Sequence, residues 1–197
     1  MSMLDLMKMR RSRYSLTDRL PVPVSEVEKL VEECVKQAPS AFNSQSARVV
    51  LVLADGHKKL WHIVLESLRP LVPADKFGET EKKIQAFAAA FGTILFLEDE
   101  AVVRSLQDKF PTYKEHFPAW SLQSDGMLQF AVWTALAEKG IGASLQHYNP
   151  LIDKEVARVF HLPKSWKLLA QMPFGEPFAE PEEKTFLPLS QRLRVEW

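Results

Sequence analysis

Apolar runs and amphipathic stretches alternate along the chain, and their two periods mark out strands and helices. Leu4 to Met9 reads as a short first helix. The clearest helical pattern follows: Val27, Leu30, Val31, Cys34 and Val35 recur at three- and four-residue spacing, one face of a helix. Ser25 and Glu28 stand where a capping box would satisfy two unpaired backbone donors. Pro39 predicts the end, because proline disfavours helical geometry in the residue before it. Arg48 to Ala54 (RVVLVLA) is β-branched and apolar, as in a buried strand. Leu60 to Leu68 and Lys82 to Phe91 predict amphipathic helices, stopped by Pro70 and Gly92. Thr93 to Leu97 predicts a second strand, and Ala101 to Phe110 a further helix.

Ser124 to Lys139 differs from these. Met127, Leu128, Phe130, Ala131, Val132, Trp133, Ala135 and Leu136 leave it almost no polar face. Such a helix belongs in a core or an oligomer interface. Gly140 and Gly142 bracket a turn into a third strand, Ala143 to Tyr148. Asn149 and Pro150 predict the cap and first residue of a helix reaching about His161. Trp166 to Met172 predicts a fourth strand. Beyond Gly175 the chain is rich in Pro and Glu until Gln191 to Glu196, a candidate last strand. Together these elements predict one sheet covered by helices, α+β or α/β. No repeat or linker interrupts them, so residues 1–197 are expected to form a single domain.

Charge narrows the function classes. Lys and Arg number 25 and Asp and Glu 25, so the net charge is zero. No global positive field favours nucleic acid. Cys34 is the only cysteine, which excludes an intramolecular disulfide and a thiolate metal cage. His57, His62, His116, His147 and His161 are scattered, so no metal site is expected. Neither GxGxxG nor GxxxxGK[ST] occurs, which disfavours Rossmann and P-loop nucleotide sites. No apolar run approaches the ~20 residues that span a bilayer, and the first residues are charged too early for a secretory leader. The expectation is a cytoplasmic protein with neither membrane nor nucleic-acid partner.

Four segments carry candidate chemistry. Arg10, Arg11, Ser12 and Arg13 form the densest cationic cluster; guanidinium forks match phosphate oxygens, and a serine hydroxyl adds a neutral donor. Ala38 to Gln45 (APSAFNSQ) is a turn-prone loop in which Asn43 and Gln45 supply both donors and acceptors. Ser144 to Tyr148 (SLQHY) carries His147, which titrates near neutrality in its unperturbed state. Lys184 follows acidic residues near the end. Taken singly, each segment reads more simply as a solvated surface, a connection or a structural strand.

In order, RRSRY, APSAFNSQ, GIGASLQHYNP and FGEP…EKTF resemble the nitroreductase family, and within it the short fatty-acid-repression-mutant-like subfamily. The resemblance spans essentially the whole chain. It implies an α+β sandwich with a mainly antiparallel central sheet flanked by helices. It also implies a homodimer with two FMN sites at the interface, each drawing on both subunits. Arg10, Arg11 and Ser12 match the run that holds the FMN phosphate and the polar edge of the ring. Pro39, Ser40, Asn43 and Gln45 match the loop presented by the partner subunit. Gln123 and Ser124 match a polar position at a helix start near the ribityl and ring. Gln146, His147 and Tyr148 match the segment whose backbone amide faces flavin N5. Lys184 matches a basic residue on the phosphate. Tyr14 and Phe186 depart from the family pattern, which has basic residues there. The implied activity is electron transfer from NAD(P)H through FMN to nitroaromatic, quinone or similar small acceptors. The implied cycle is ping-pong, with no dedicated catalytic acid. A flavin-binding redox sensor or regulator with little turnover, and a flavin-free protein binding anionic partners through RRSR, are the competing readings.

Overall fold

The computed structural model describes residues 1–197. Seven helices and four strands follow in chain order: α1 (Met3–Met9), α2 (Val24–Gln37), β1 (Ala47–Leu53), α3 (Ala54–Leu68), α4 (Phe77–Ala88), β2 (Gly92–Asp99), α5 (Glu100–Lys109), α6 (Phe117–Glu138), β3 (Gly142–Ala143), α7 (Asp153–Val159) and β4 (Trp166–Gly175). The strands form one antiparallel sheet in the order β1-β2-β4-β3.

β2 shows how the sheet divides the interior. Successive side chains on a strand point to opposite faces. Ile94 and Phe96 join Val27 and Val31 of α2 and Leu128, Val132 and Leu136 of α6. Leu95 and Leu97 join Leu60, Trp61 and Val64 of α3, Ile84 and Phe87 of α4, and Val156 of α7. The result is helix, sheet, helix, with β2 buried on both faces. In β4 the register slips opposite Phe96 and Leu97. This bulge turns Leu168 to one layer and Ala170, Met172 and Phe174 to the other, although all four share sequence parity.

Several local expectations change. The capping box is at Ser2 and Asp5, on α1. Ser25 lies inside α2, whose cap position is Pro23, so its hydroxyl has no free amide ahead of it to bind. α3 begins six residues before Leu60, because His57 heads the buried stripe continued by Leu60, Trp61 and Val64. Gly92 opens β2 instead of stopping a helix. A Cβ there would lie 2.6 Å from Leu53 Cδ2 and 2.9 Å from Phe174 Cζ, so the position demands its small size. α6 starts at Phe117, seven residues before Ser124. Asn149 and Pro150 lie in a turn, and α7 begins at Asp153. The third strand shrinks to Gly142–Ala143 plus one bridge between Gln146 and Gln171. Gln191 to Glu196 forms no strand.

Candidate functional site

The N-terminal run reaches the sheet through Ser12, which bridges Ala143 in parallel while the Arg13 N–H donates to the Ala143 carbonyl at 2.9 Å. The chain returns at Leu16, which bridges Pro177. That pairing brings residues 179–185 back over residues 10–15. The two segments enclose a cleft of about 590 Å³ lined by Arg10, Arg11, Ser12, Arg13, Tyr14 and Lys184, among others. Arg10, Arg11 and Ser12 thus share one cleft with Lys184, more than 170 positions away in sequence.

The charges in this cleft are unevenly matched. Arg13, Arg48, Arg69, Arg104 and Arg158 each meet a carboxylate. Arg10, Arg11 and Lys184 meet none. Arg11 donates only to the Glu182 carbonyl. The Arg10 guanidinium lies 4.3 Å from the Trp133 ring centroid, a cation–π contact, and its buried Nε has no acceptor. Trp133 is itself fixed by its Nε1–H donating to the Ala143 carbonyl at 3.2 Å. Burial, and then the neighbouring Arg11, lower the Arg10 pKa, yet a guanidinium stays protonated. A half-buried cation with an idle donor is what an anionic group such as a phosphate satisfies.

Beyond Ala143 the same strand edge carries the next candidate segment. Gln146 and Gln171 exchange backbone hydrogen bonds of 2.7 and 2.9 Å. The Tyr148 N–H donates to Gln171 Oε1 at 2.8 Å. Between them the His147 N–H has no acceptor in the chain, and its side chain is exposed. This irregular stretch frees one amide while holding its neighbours rigid. Burial pushes the Tyr148 hydroxyl up to about 12, which keeps it neutral.

The other matched residues gather elsewhere, near β1 and the start of α6. Phe42, Asn43 and Gln45 all have positive φ, 57°, 51° and 49°. Outside glycine this region is sparsely used, so the loop is held in shape by its surroundings. Ser40 Oγ accepts from the Gln45 N–H at 3.0 Å, Ser124 Oγ from the Ala41 N–H at 3.4 Å, and the Arg48 guanidinium donates to the Gln45 carbonyl at 2.7 Å. Phe42 stays half exposed yet packs on Phe110, Phe117 and Trp120, with centroids at 4.9, 5.4 and 6.2 Å. Gln123 and Ser124 line an open cleft of about 380 Å³ with Phe42, Trp120 and Met127. They lie in the second turn of α6 and do not start it, so Ser124 serves as a support for the loop. Pro39, Ser40 and Gln45 border a separate groove of about 670 Å³ between α2 and β1.

One chain therefore holds the matched residues in two groups. Arg10, Arg11, Ser12, Gln146, His147, Tyr148 and Lys184 border the β3 side, and Pro39, Ser40, Asn43, Gln45, Gln123 and Ser124 the β1 side. Sequence reasoning missed Trp133, hidden in an apolar helix, and the aromatic shelf around Phe42, whose members come from three elements. No group of three or more His, Cys, Asp or Glu side chains is placed to hold a metal. No helix is long and apolar enough to cross a membrane.

The model of the nitroreductase family matches residues 7–176. The nitroreductase FRM2 of Saccharomyces cerevisiae is 36% identical over 180 residues, 90% of this chain and 89% of its own. Nitroreductase CinD from Lactococcus lactis, solved in complex with chloramphenicol, is 43% identical with a TM-score of 0.91, covering 99% of this chain and 100% of that one. A protein from Exiguobacterium sibiricum in complex with FMN shares the fold at 15% identity, with a TM-score of 0.69 over 100% of this chain and 98% of that one. Fold, motif order and sequence similarity thus agree: the chain belongs to the nitroreductase family and is an oxidoreductase.

Proposed function

We propose that this protein is a homodimeric NAD(P)H-dependent oxidoreductase that reduces nitroaromatic, quinone or similar small acceptors, with residues 1–197 working as one cofactor-binding domain. FMN is its cofactor. The observation that carries the reading is that Arg10, Arg11 and Lys184 pair with no carboxylate, although Glu180, Glu182 and Glu183 border the same cleft, beside the sheet edge where the His147 amide is free.

When bound, FMN supplies the ring that takes hydride from the nicotinamide and passes electrons to the acceptor in a ping-pong cycle. The protein's own work is binding, orientation and electrostatics. Arg10, Arg11 and Lys184 would hold the phosphate, and the Ser12 hydroxyl would add a neutral donor. The His147 N–H, fixed between Gln146 and Tyr148, is a preorganised donor toward the ring. Pro39, Ser40, Asn43 and Gln45 of a second copy cover the opposite side, with Gln123 and Ser124 beside them. The Phe42–Trp120 shelf gives a planar acceptor an aromatic surface to stack on.

Dimerisation accounts for apolar surface that one chain leaves uncovered. Leu122 and Met127 on α6 are exposed, as are Met3, Leu4 and Met7 on α1. Leu189, Leu193, Val195 and Trp197 of the tail are each more than 60% exposed. β1 is an outer strand, flanked by the groove that Val31, Val35, Leu51 and Leu128 line. The tail of a second copy laid along this edge buries both surfaces, and obligate interfaces of this kind resemble a divided core.

The test is the visible spectrum and solution mass of the purified protein. The expected result is a yellow dimer whose flavin bands bleach anaerobically on adding NADH or NADPH. A colourless protein that FMN does not reconstitute overturns the reading. Bleaching with acceptor turnover no faster than free FMN would assign the site to redox sensing.

A further inference from the structure

Two buried acids have no place in the flavin site. Glu98, near the end of β2, is 3% exposed, and Asp125 of α6 is 1% exposed. Strand alternation puts Glu98 on the α6 face of the sheet with Ile94 and Phe96. Neither Glu98 oxygen has a hydrogen-bond donor, and Asp125 Oδ1 has none; Asp125 Oδ2 accepts from the Gln129 amide. Glu98 also lines a cleft of about 210 Å³ with Val103, Leu169 and Ser121, and Ser121 stands one helical turn before Asp125 on the same buried face of α6.

The charged groups around the pair leave it unneutralised. Arg48 of β1 is committed to Asp99 at 3.0 Å, and Arg104 of α5 to Glu100 at 3.2 Å. Lys167 of β4 stands opposite Glu98 in register, at the rim of the same cleft, without bonding to it. Asp99 and Glu100 add negative charge beside Glu98. Burial pushes Glu98 upward, against smaller opposing pulls from Ser46 and Arg48. Burial first, and then the charge of Glu98, push Asp125 up to about 7. Two carboxylates without a cation in such a place do not both ionise at neutral pH.

The pair sits beneath both ends of the Ser40–Ser46 loop. Ser46, buried beside Glu98, accepts the Asp99 N–H at its carbonyl, 3.0 Å, and its hydroxyl lies 3.5 Å from that of Ser44. Ser124, adjacent to Asp125, anchors the Ala41 N–H.

We propose that Glu98 and Asp125 hold one proton between them at neutral pH and act as positioning residues for the Ser40–Ser46 loop. The proton and its effect on the loop stand on the geometry above; only the consequence for acceptor binding rests on the oxidoreductase reading. When the proton leaves to water through the cleft, two negative charges repel beneath the loop and its anchors loosen.

Infrared difference spectra of the wild-type protein from about pH 6 to about pH 9, the range spanning the shared proton, read the proton directly. A protonated-carboxyl C=O band is expected to vanish across that range, and to be missing from the titration of Asp125→Asn and Glu98→Gln. Hydrogen–deuterium exchange of peptides covering residues 40–46, corrected for its intrinsic pH dependence, reads the loop. In the wild type it should accelerate by up to about tenfold per pH unit above neutrality, and in Asp125→Asn it should stay level. The acceptor KM should follow exchange while kcat holds. A wild type with no titrating carboxyl band overturns the proposal, and so does loop exchange with the same pH dependence in wild type and a folded variant. Failure to bind FMN would overturn the oxidoreductase reading alone, since band and exchange are read without it.

Discussion

Replacing Arg10 with alanine tests the anion site most directly. Its guanidinium is half-buried on Trp133, meets no carboxylate and keeps Nε without an acceptor. In the free protein the side chain contributes little beyond the cation–π contact, about 0.5–1 kcal/mol at a partly exposed site. Toward a phosphate it offers a charge-assisted hydrogen bond worth about 1.5–3 kcal/mol. The change should therefore weaken FMN binding roughly 10- to 150-fold in Kd, while the folded protein loses less than about 1 kcal/mol. Arg10→Lys keeps the charge but not the planar fork and should fall between. Arg158→Ala, which removes only a surface pair with Glu155, should leave FMN affinity unchanged. Quenching of flavin fluorescence on titration into apoprotein measures all three. An Arg10→Ala protein that binds FMN within about threefold of wild type would refute the assignment of Arg10 to the phosphate.

Three further outcomes follow from packing and protonation. Thr93 Oγ1 accepts from Trp61 Nε1–H at 3.0 Å and lies 2.9 Å from His57 Nδ1, while His57 Nε2 faces the Ala88 carbonyl at 3.2 Å. Thr93→Val strands two buried partners and should cost about 2–6 kcal/mol by denaturant titration, at about 1–3 for each group left unsatisfied. Burial lowers the His57 pKa, against smaller upward pulls from the Ala88 and Phe87 backbone, and a Thr93 hydroxyl donating to Nδ1 favours the neutral ring. Its contribution to stability is therefore complete above the unfolded value of about 6.5 and is lost as pH falls through the lower folded value. Thr93→Val should flatten this acid slope in stability measured against pH. Gly92→Ala drives a methyl group into Leu53 and Phe174 and should destabilise by about 1–3 kcal/mol. Deleting residues 188–197 should weaken the dimer in sedimentation equilibrium by about 1.5–3 kcal/mol for each of its apolar side chains that the partner buries.

The helices and strands with strong periodicity were legible in the sequence, and so was the cationic run. Val27 through Val35 give α2, and RVVLVL gives β1, because burial on one face or two writes itself into spacing. Boundaries set by tertiary contact were not legible. His57 counts as polar in any pattern, yet it heads the buried stripe of α3 because Thr93 and Ala88 satisfy both ring nitrogens. Gly92 looks like a helix stop; its real reason is the approach of Leu53 and Phe174, distant in sequence. Lys184 carries no local signal; the Leu16–Pro177 bridge, with Arg13 on Ala179 and Glu180 and Arg11 on Glu182, brings its segment back over Arg10. The Glu98–Asp125 pair was invisible for the same reason: an acid in an apolar strand and one in an apolar helix become neighbours only after the sheet forms.

The two groups of candidate residues impose a constraint on assembly. Arg10 and the His147 amide lie by β3, at one edge of the sheet, and the Ser40–Gln45 loop leads into β1, at the other. Phe42 and Trp120 are braced within their own chain by aromatic neighbours, and the loop by Ser124 and Arg48, so the loop is built to keep its shape and not to fold back across the sheet. A rigid loop at one edge completes a site at the opposite edge when a second copy supplies it. In the proposed homodimer, twofold symmetry would then make two equivalent sites from one surface, because each copy gives what it lacks. In that proposed homodimer the positive-φ strain at Phe42, Asn43 and Gln45 would have its use there: it would fix, before association, the shape that the neighbouring copy meets.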